Sequence, residues 1–202
     1  VLGTADNPDV RVVNALTTPA QVDIVINNQV VGNDVGFGAV SNRTVIDNGN
    51  RTIEVRDATT QGVIVSAERL LELSTDYTVV AYNNNNTPSL LRLRDRRTAT
   101  SGKADFRFIH VANGAGPVDV YVTEPNADIS NAAPTISGVT IGDEEQEYQS
   151  FDADTYQVRI TAAGTKNVIA SQQLSVVEGQ NRTFLVVSGN NGPQIITLED
   201  LG

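Results

Sequence analysis

DVRVVNALTTPAQVDIVI, residues 9–26, runs almost in step with DFRFIHVANGAGPVDVYV, residues 105–122. At a spacing of 96 residues, Asp9, Arg11, Val22 and Asp23 recur as Asp105, Arg107, Val118 and Asp119. The apolar positions recur with them. Val10 and Val12, then Val22, Ile24 and Ile26, alternate with other residues. Period-two alternation marks a strand with one face buried. The stretch therefore predicts two strands joined by a Pro-containing loop, and it occurs twice.

The match extends outward. RTIEVR (51–56) aligns with DTYQVR (154–159) at a spacing of 103, and VIVS (63–66) aligns with VIAS (168–171) at 105. The value 105 then holds at Thr78/Thr183, Asn85/Asn190, Pro88/Pro193, Leu93/Leu198 and Asp95/Asp200. Self-similarity in a fixed register is the signature of repeated units. The growing spacing places an insertion in the second copy, at EPNADISNAAPTISG (124–138). The organisation expected is an arm at 1–8, a first repeat at 9–95, a linker at 96–104 and a second repeat at 105–202. RRTATSGKA (96–104) is small, polar and basic, as linkers are.

Each repeat reads as short strands. Ile26-Asn27-Asn28-Gln29 suits a hairpin, because Asn tolerates positive φ. Asp47-Asn48-Gly49-Asn50 is a second turn, leading into Arg51–Arg56. Val63–Leu73 admits a helix through Ala67–Leu71, but its partner VIASQQLSVV (168–177) has strand character, so both are assigned as strands. Tyr77–Tyr82 and Leu90–Leu93 close the copy. The chain has no Trp, Met or Cys and only 5% aromatics, so its core rests on Val, Ile, Leu and Ala. Val and Ile, the β-branched members of that set, favour strands. About seven strands per repeat predict an all-β chain of two tandem immunoglobulin-like β-sandwich domains.

RVVNALTTPAQVDIVINNQVV and RFIHVANGAGPVDVYV resemble the opening signature of domain-of-unknown-function family 4397. RTIEVRDA and LLELSTDYTVVAY resemble its middle and closing strands. The first copy departs from the signature by carrying Asn14 where the family usually has His. The resemblance, twice over, implies a tandem pair of immunoglobulin-like domains in a secreted or surface-attached bacterial protein. It implies no activity.

The formal net charge is −10. A nucleic-acid partner calls for a basic face, and an anionic membrane repels such a chain. No apolar run approaches the roughly 20 residues that span a bilayer. The start at Val1-Leu2-Gly3 suits a mature protein after signal-peptide removal, hence an extracellular or cell-surface location. Residues 1–102 carry a net −2 and residues 103–202 a net −8. That asymmetry suits head-to-tail contact between subunits.

His110, the single histidine, aligns with Asn14. Either residue can tie a strand end to the following loop, but only His serves as a base near neutral pH. The competing arrangement is a site in the second copy built on His110, Asp119 and Tyr121. Asp23 and Asp119 follow their loops in both copies and suit capping of loop amides. One His and no Cys exclude ordinary zinc or copper sites. Asp143, Glu144, Glu145 and Glu147, with Asp152 and Asp154, leave calcium open without matching a calcium loop. Asn83–Asn86 reads as a polar loop between the last two strands. Glycosylation sequons stand at Asn42, Asn50, Asn85 and Asn181.

No catalytic residue, cofactor-binding residue or metal ligand is assigned, and no cofactor is expected. The function expected is an extracellular structural or adhesive subunit, not an enzyme. It self-associates, polymerising head to tail into a filament or surface layer through β-strand contacts, with residues 1–8 as a candidate donated strand. The alternative is a module that binds a glycan or another extracellular polymer without catalysis, through the end loops or the 124–138 insertion. Tyr121, Tyr148 and Tyr156 are the aromatics on offer for stacking on sugars.

Overall fold

The computed structural model describes residues 6–200, which form strands, turns and loops and no helix. None of these residues therefore forms a helix long and apolar enough to cross a membrane. The chain divides into two compact units, Val1–Arg96 and Arg97–Gly202.

The first unit contains β1 (Asp9–Asn14), β2 (Gln21–Ile26), β3 (Gln29–Gly36), β4 (Thr44–Val45), β5 (Gly49–Asp57), β6 (Val63–Leu71), β7 (Asp76–Asn84) and β8 (Thr87–Asp95). They form two sheets, in the orders β4-β1-β7-β8 and β3-β2-β5-β6. Only β1 and β7 pair in parallel; the other neighbours are antiparallel. Alternation supplies the core. Val10, Val12, Val79 and Ala81 come from one sheet, and Ile24, Ile26, Ile53 and Val55 from the other.

The second unit contains β9 (Ala104–His110), β10 (Val118–Thr123), β11 (Ile136–Val139), β12 (Gln149–Phe151), β13 (Thr155–Ala162), β14 (Val168–Ser175), β15 (Asn181–Gly189) and β16 (Gly192–Glu199). Its sheets, β12-β9-β15-β16 and β11-β10-β13-β14, repeat the first unit strand for strand. The parallel pair recurs as β9 with β15. Aromatics replace aliphatics in this core: Phe108 stacks on Phe184 at 5.0 Å, and Phe106 meets Phe184 edge-on at 5.3 Å.

The expected all-β chain of two β-sandwiches is thus what the structure shows. Each unit has eight strands rather than seven, the extra ones being the short edge strands β4 and β12. Both Asn pairs make tight hairpin turns in the left-handed region, Asn27 and Asn28 at φ 44° and 69° and Asn85 and Asn86 at 48° and 64°. Val63–Leu71 is a strand, as assigned.

The ladders correct one alignment. Ile24 faces Val55, and its counterpart Val120 faces Ile160, so β5 and β13 correspond at a spacing of 105, not 103. Glu54 therefore corresponds to Arg159, and Arg56 to Thr161. The shared Val-Arg ending is a coincidence two residues out of register, and a two-residue slip preserves the inward and outward faces. Val22 faces Val35 and Val118 faces Val139, which puts the spacing at 104 in β3 and β11. Eight extra residues therefore enter between β10 and β11.

The ends of the first repeat are held in place. Asp6 O accepts from Ser74 N at 2.7 Å, and Pro8 O accepts from Ile46 N at 3.0 Å. Residues 6–8 of the expected arm thus lie along their own unit, and residues 1–5 fall outside the described residues. In the stretch 96–104, Thr100 N donates to Asp105 at 2.8 Å and Lys103 pairs with Asp152 at 2.5 Å.

Candidate functional site

His110 ends β9 and is 1% exposed. Its Nδ1 accepts from Ala112 N at 3.2 Å, which places the proton on Nε2, 3.1 Å from Gly116 O. Asn14 ends β1 in the same way. Its Oδ1 accepts from Leu16 N at 2.9 Å and its Nδ2 donates to Val35 O at 2.9 Å. Each side chain accepts from the amide two residues on and donates to a carbonyl. Burial lowers the His110 pKa from 6.5, against smaller raising effects from backbone groups at Gly116, Ala115 and Val186. The imidazole is held neutral with both nitrogens engaged.

The two aspartates clamp loops. Asp23 Oδ1 accepts from Asp34 N and Oδ2 from Gln61 Nε2, both at 2.8 Å. Asp119 accepts from Gly138 N and Gly164 N, again at 2.8 Å each. Asp34, Gln61, Gly138 and Gly164 all have positive φ, between 52° and 74°. Asp119 thus fastens two turns through their amides, and Asp23 fastens one through its amide and a second through a glutamine side chain. The structure does not bring His110, Asp119 and Tyr121 together by any hydrogen bond.

A buried polar relay recurs in both units. Arg11 Nε donates to Thr78 Oγ1 at 2.9 Å, and Thr78 Oγ1 donates to Asp95 Oδ2 at 2.7 Å. Arg107 Nε, Thr183 Oγ1 and Asp200 Oδ2 repeat it at 3.0 and 2.8 Å. The cover differs. Arg43 meets Asp95 at 2.8 Å in the first unit, whereas Tyr148 OH donates to Asp200 at 2.8 Å in the second, with Arg107 over its ring at 4.7 Å. The signal was present in the repeat, where all three residues are identical in both copies.

The acidic run is a local turn. Asp143 accepts from Glu145 N and Gln146 Nε2, at 3.0 and 2.6 Å. Among the described residues no three His, Cys, Asp or Glu side chains converge as a metal site would need. Of the sequons, Asn181 is 1% exposed, closed to a glycan in the folded chain. Asn42, Asn50 and Asn85 are exposed.

The two units also differ on the outer face of the β2–β5 pair and its counterpart β10–β13. In the first unit Val25, Asn27, Asn28, Thr52 and Glu54 line an open depression of about 370 Å³. Their counterparts in the second unit are Tyr121, Thr123, Glu124, Gln157 and Arg159. There the insertion lies across the face. Asn126 N donates to Gln157 Oε1 at 2.8 Å, and Arg159 donates to Ala127 O at 2.7 Å and to Thr123 Oγ1 at 2.6 Å. Lys166 bonds to Ala132 O and sits 4.7 Å from the Tyr121 ring centre. Ile129 is buried, and Tyr121 is only 2% exposed.

A family described as a domain of unknown function, DUF4397, matches residues 8–121, more than half of the chain. The chain belongs to that family. The DUF4397 match runs through the first unit and on through β9 into β10, stopping just before the insertion. No curated protein matches this DUF4397 chain. Among solved structures, a streptococcal family 41 carbohydrate-binding module, described as recognising alpha-glucan, aligns at 6% identity and a TM-score of 0.34, covering 94% of this chain and 96% of that one. A family 26 module of Eubacterium rectale Amy13K, solved with maltoheptaose, aligns at 11% identity and 0.29, covering 95% and 96%.

Proposed function

We propose that this chain is a non-catalytic binding module that works outside the cell on an extracellular polymer, a glycan first. The second unit is a diverged copy of the same DUF4397 domain. The observation that supports the reading is the paired sheet face. The second unit covers its face with its own residues 124–135, and the first leaves the equivalent face open, lined by Val25, Asn27, Asn28, Thr52 and Glu54. His110, Asp23 and Asp119 are engaged in holding strand ends and loops, so their chemistry serves the frame. Full-length protein run through gels cast with a panel of neutral and acidic polysaccharides tests this. Retardation by at least one polymer is expected; uniform mobility across the panel refutes it.

A second reading is the structural or adhesive subunit, and one observation favours it. Val30, Val40 and Val45 are 56%, 41% and 60% exposed beside the free edges of β3 and β4. Exposed apolar side chains on strand edges invite association. Sedimentation and electron microscopy of the full-length protein distinguish the two. Filaments or lattices establish this reading, and a dispersed monomer at high concentration removes it.

A further inference from the structure

Resting on the binding-module reading, we infer that the depression on the first unit takes an uncharged, hydroxyl-rich saccharide and rejects acidic ones. Its counterpart shows what the scaffold does with an occupant. In the second unit, Arg159 supplies donors to a backbone carbonyl and a hydroxyl, so that face holds acceptors. The first unit has Glu54 at the corresponding position, and the demand reverses: the ligand must bring donors. Glu54 Oε2 already accepts from Arg56 Nε and Nη2, at 3.0 and 2.5 Å. Glu54 Oε1 has no hydrogen-bond donor among the described residues.

The hairpin turn places two carboxamides beside it. Asn27 Oδ1 accepts from Thr52 N at 2.8 Å, which fixes that amide and leaves its Nδ2 as donor. The Asn28 side chain and the Thr52 hydroxyl make no hydrogen bond among the described residues. Val25, 6% exposed, lies among them on β2. A carboxylate oxygen, two amides and a hydroxyl over a small apolar residue can pair with the vicinal hydroxyls of a sugar, each of which both donates and accepts. An anionic polymer meets the Glu54 carboxylate, whose Oε1 no donor among the described residues offsets, on a half of the chain (1–102) that carries a net −2.

Two-dimensional NMR titration of the full-length protein tests the assignment. The probes are soluble neutral gluco- and manno-oligosaccharides, with oligogalacturonate as the acidic one. Shifts with a neutral probe are expected at Val25–Asn28 and Thr52–Glu54 and none with oligogalacturonate. N28A should weaken binding about five- to tenfold, roughly the loss of one or two uncharged hydrogen bonds. E54R, which copies the second unit, should abolish it. Shifts that map elsewhere, or N28A binding like the wild type, overturn the site while leaving the binding-module reading intact. Oligogalacturonate binding at this face overturns the ligand class. Should the chain bind no saccharide in either experiment, both inferences fall together.

Discussion

The two units are the same frame finished in two ways. Eight strands, one parallel pair and an Arg-Thr-Asp relay recur in each. The relay in the first unit is covered by a second arginine, and in the second by a tyrosine. The β2–β5 face is open, whereas the β10–β13 face is roofed by the chain itself. The pairing of strands is thus insensitive to what sits outside the sheets. Function can differ between copies through the cover alone.

The relay offers the sharpest break. Asp95 is the acidic partner for Arg43 at 2.8 Å and lies 4.0 Å from Arg11, with its own side chain out of solvent. Asp95→Ala takes the carboxylate away from half-buried Arg43 and buried Arg11 and should cost about 3 kcal/mol. Asp200→Ala should cost less, because a tyrosine ring remains over Arg107. Calorimetry of each variant checks the order; equal losses would show that the cover does not matter.

Loop clamps come next. Asp119→Ala removes two charge-assisted hydrogen bonds from the backbone amides of Gly138 and Gly164, and should cost about 1–3 kcal/mol in all, since both glycines are exposed and water can replace part of the loss. Asp23→Ala removes only one such amide bond, since its second partner is a side chain that can turn to water. Chemical denaturation should therefore find the second unit hurt more than the first.

Histidine separates the units by pH. Burial lowers the His110 pKa from 6.5, so an unfolded chain takes up the proton first on acidification. The stability it lends is fully present above about 6.5 and is lost as pH falls through the lower folded value. His110→Asn should fold with a change within about 1 kcal/mol and lose that acid dependence, becoming like Asn14. His110→Ala should cost about 1–3 kcal/mol. A pH series of melting curves decides; an unchanged slope in His110→Asn would place the titration elsewhere.

The smallest effect concerns the roof. Arg159→Ala removes its bonds to Ala127 and Thr123, and amide exchange should quicken about tenfold at residues 124–135 with global stability nearly unchanged. Unaltered exchange there would mean that Asn126, Lys166 and Ile129 hold the insertion without it.

The strands, the hairpin turns and the repeat were all legible in the sequence, because alternation and Asn pairs are local signals. The change in spacing signalled extra residues as well, but the stretch 124–138 was too long a reading, since Ile136–Gly138 belong to β11, the counterpart of β3. The register of β13 was not, since a slip of two residues leaves every apolar position facing inward. Nor was the relay read as a unit, although Arg11, Thr78 and Asp95 each recur, because the parallel pairing that joins them lies 67 residues apart in the chain. The open face was hidden for a different reason. It is defined by what is missing above it in one copy, and only the comparison with Arg159 and the insertion makes it visible.

That long-range parallel pairing bears on how the chain is made. β1 finds its neighbour β7 only when most of a unit has left the ribosome, and Asp95, the last residue of β8, completes the relay. Topologies dominated by distant pairings fold slowly. Each unit therefore stays unfinished until its final hairpin emerges. The first, complete at Asp95, can close while the second is still being made, so the two frames are assembled in succession rather than together.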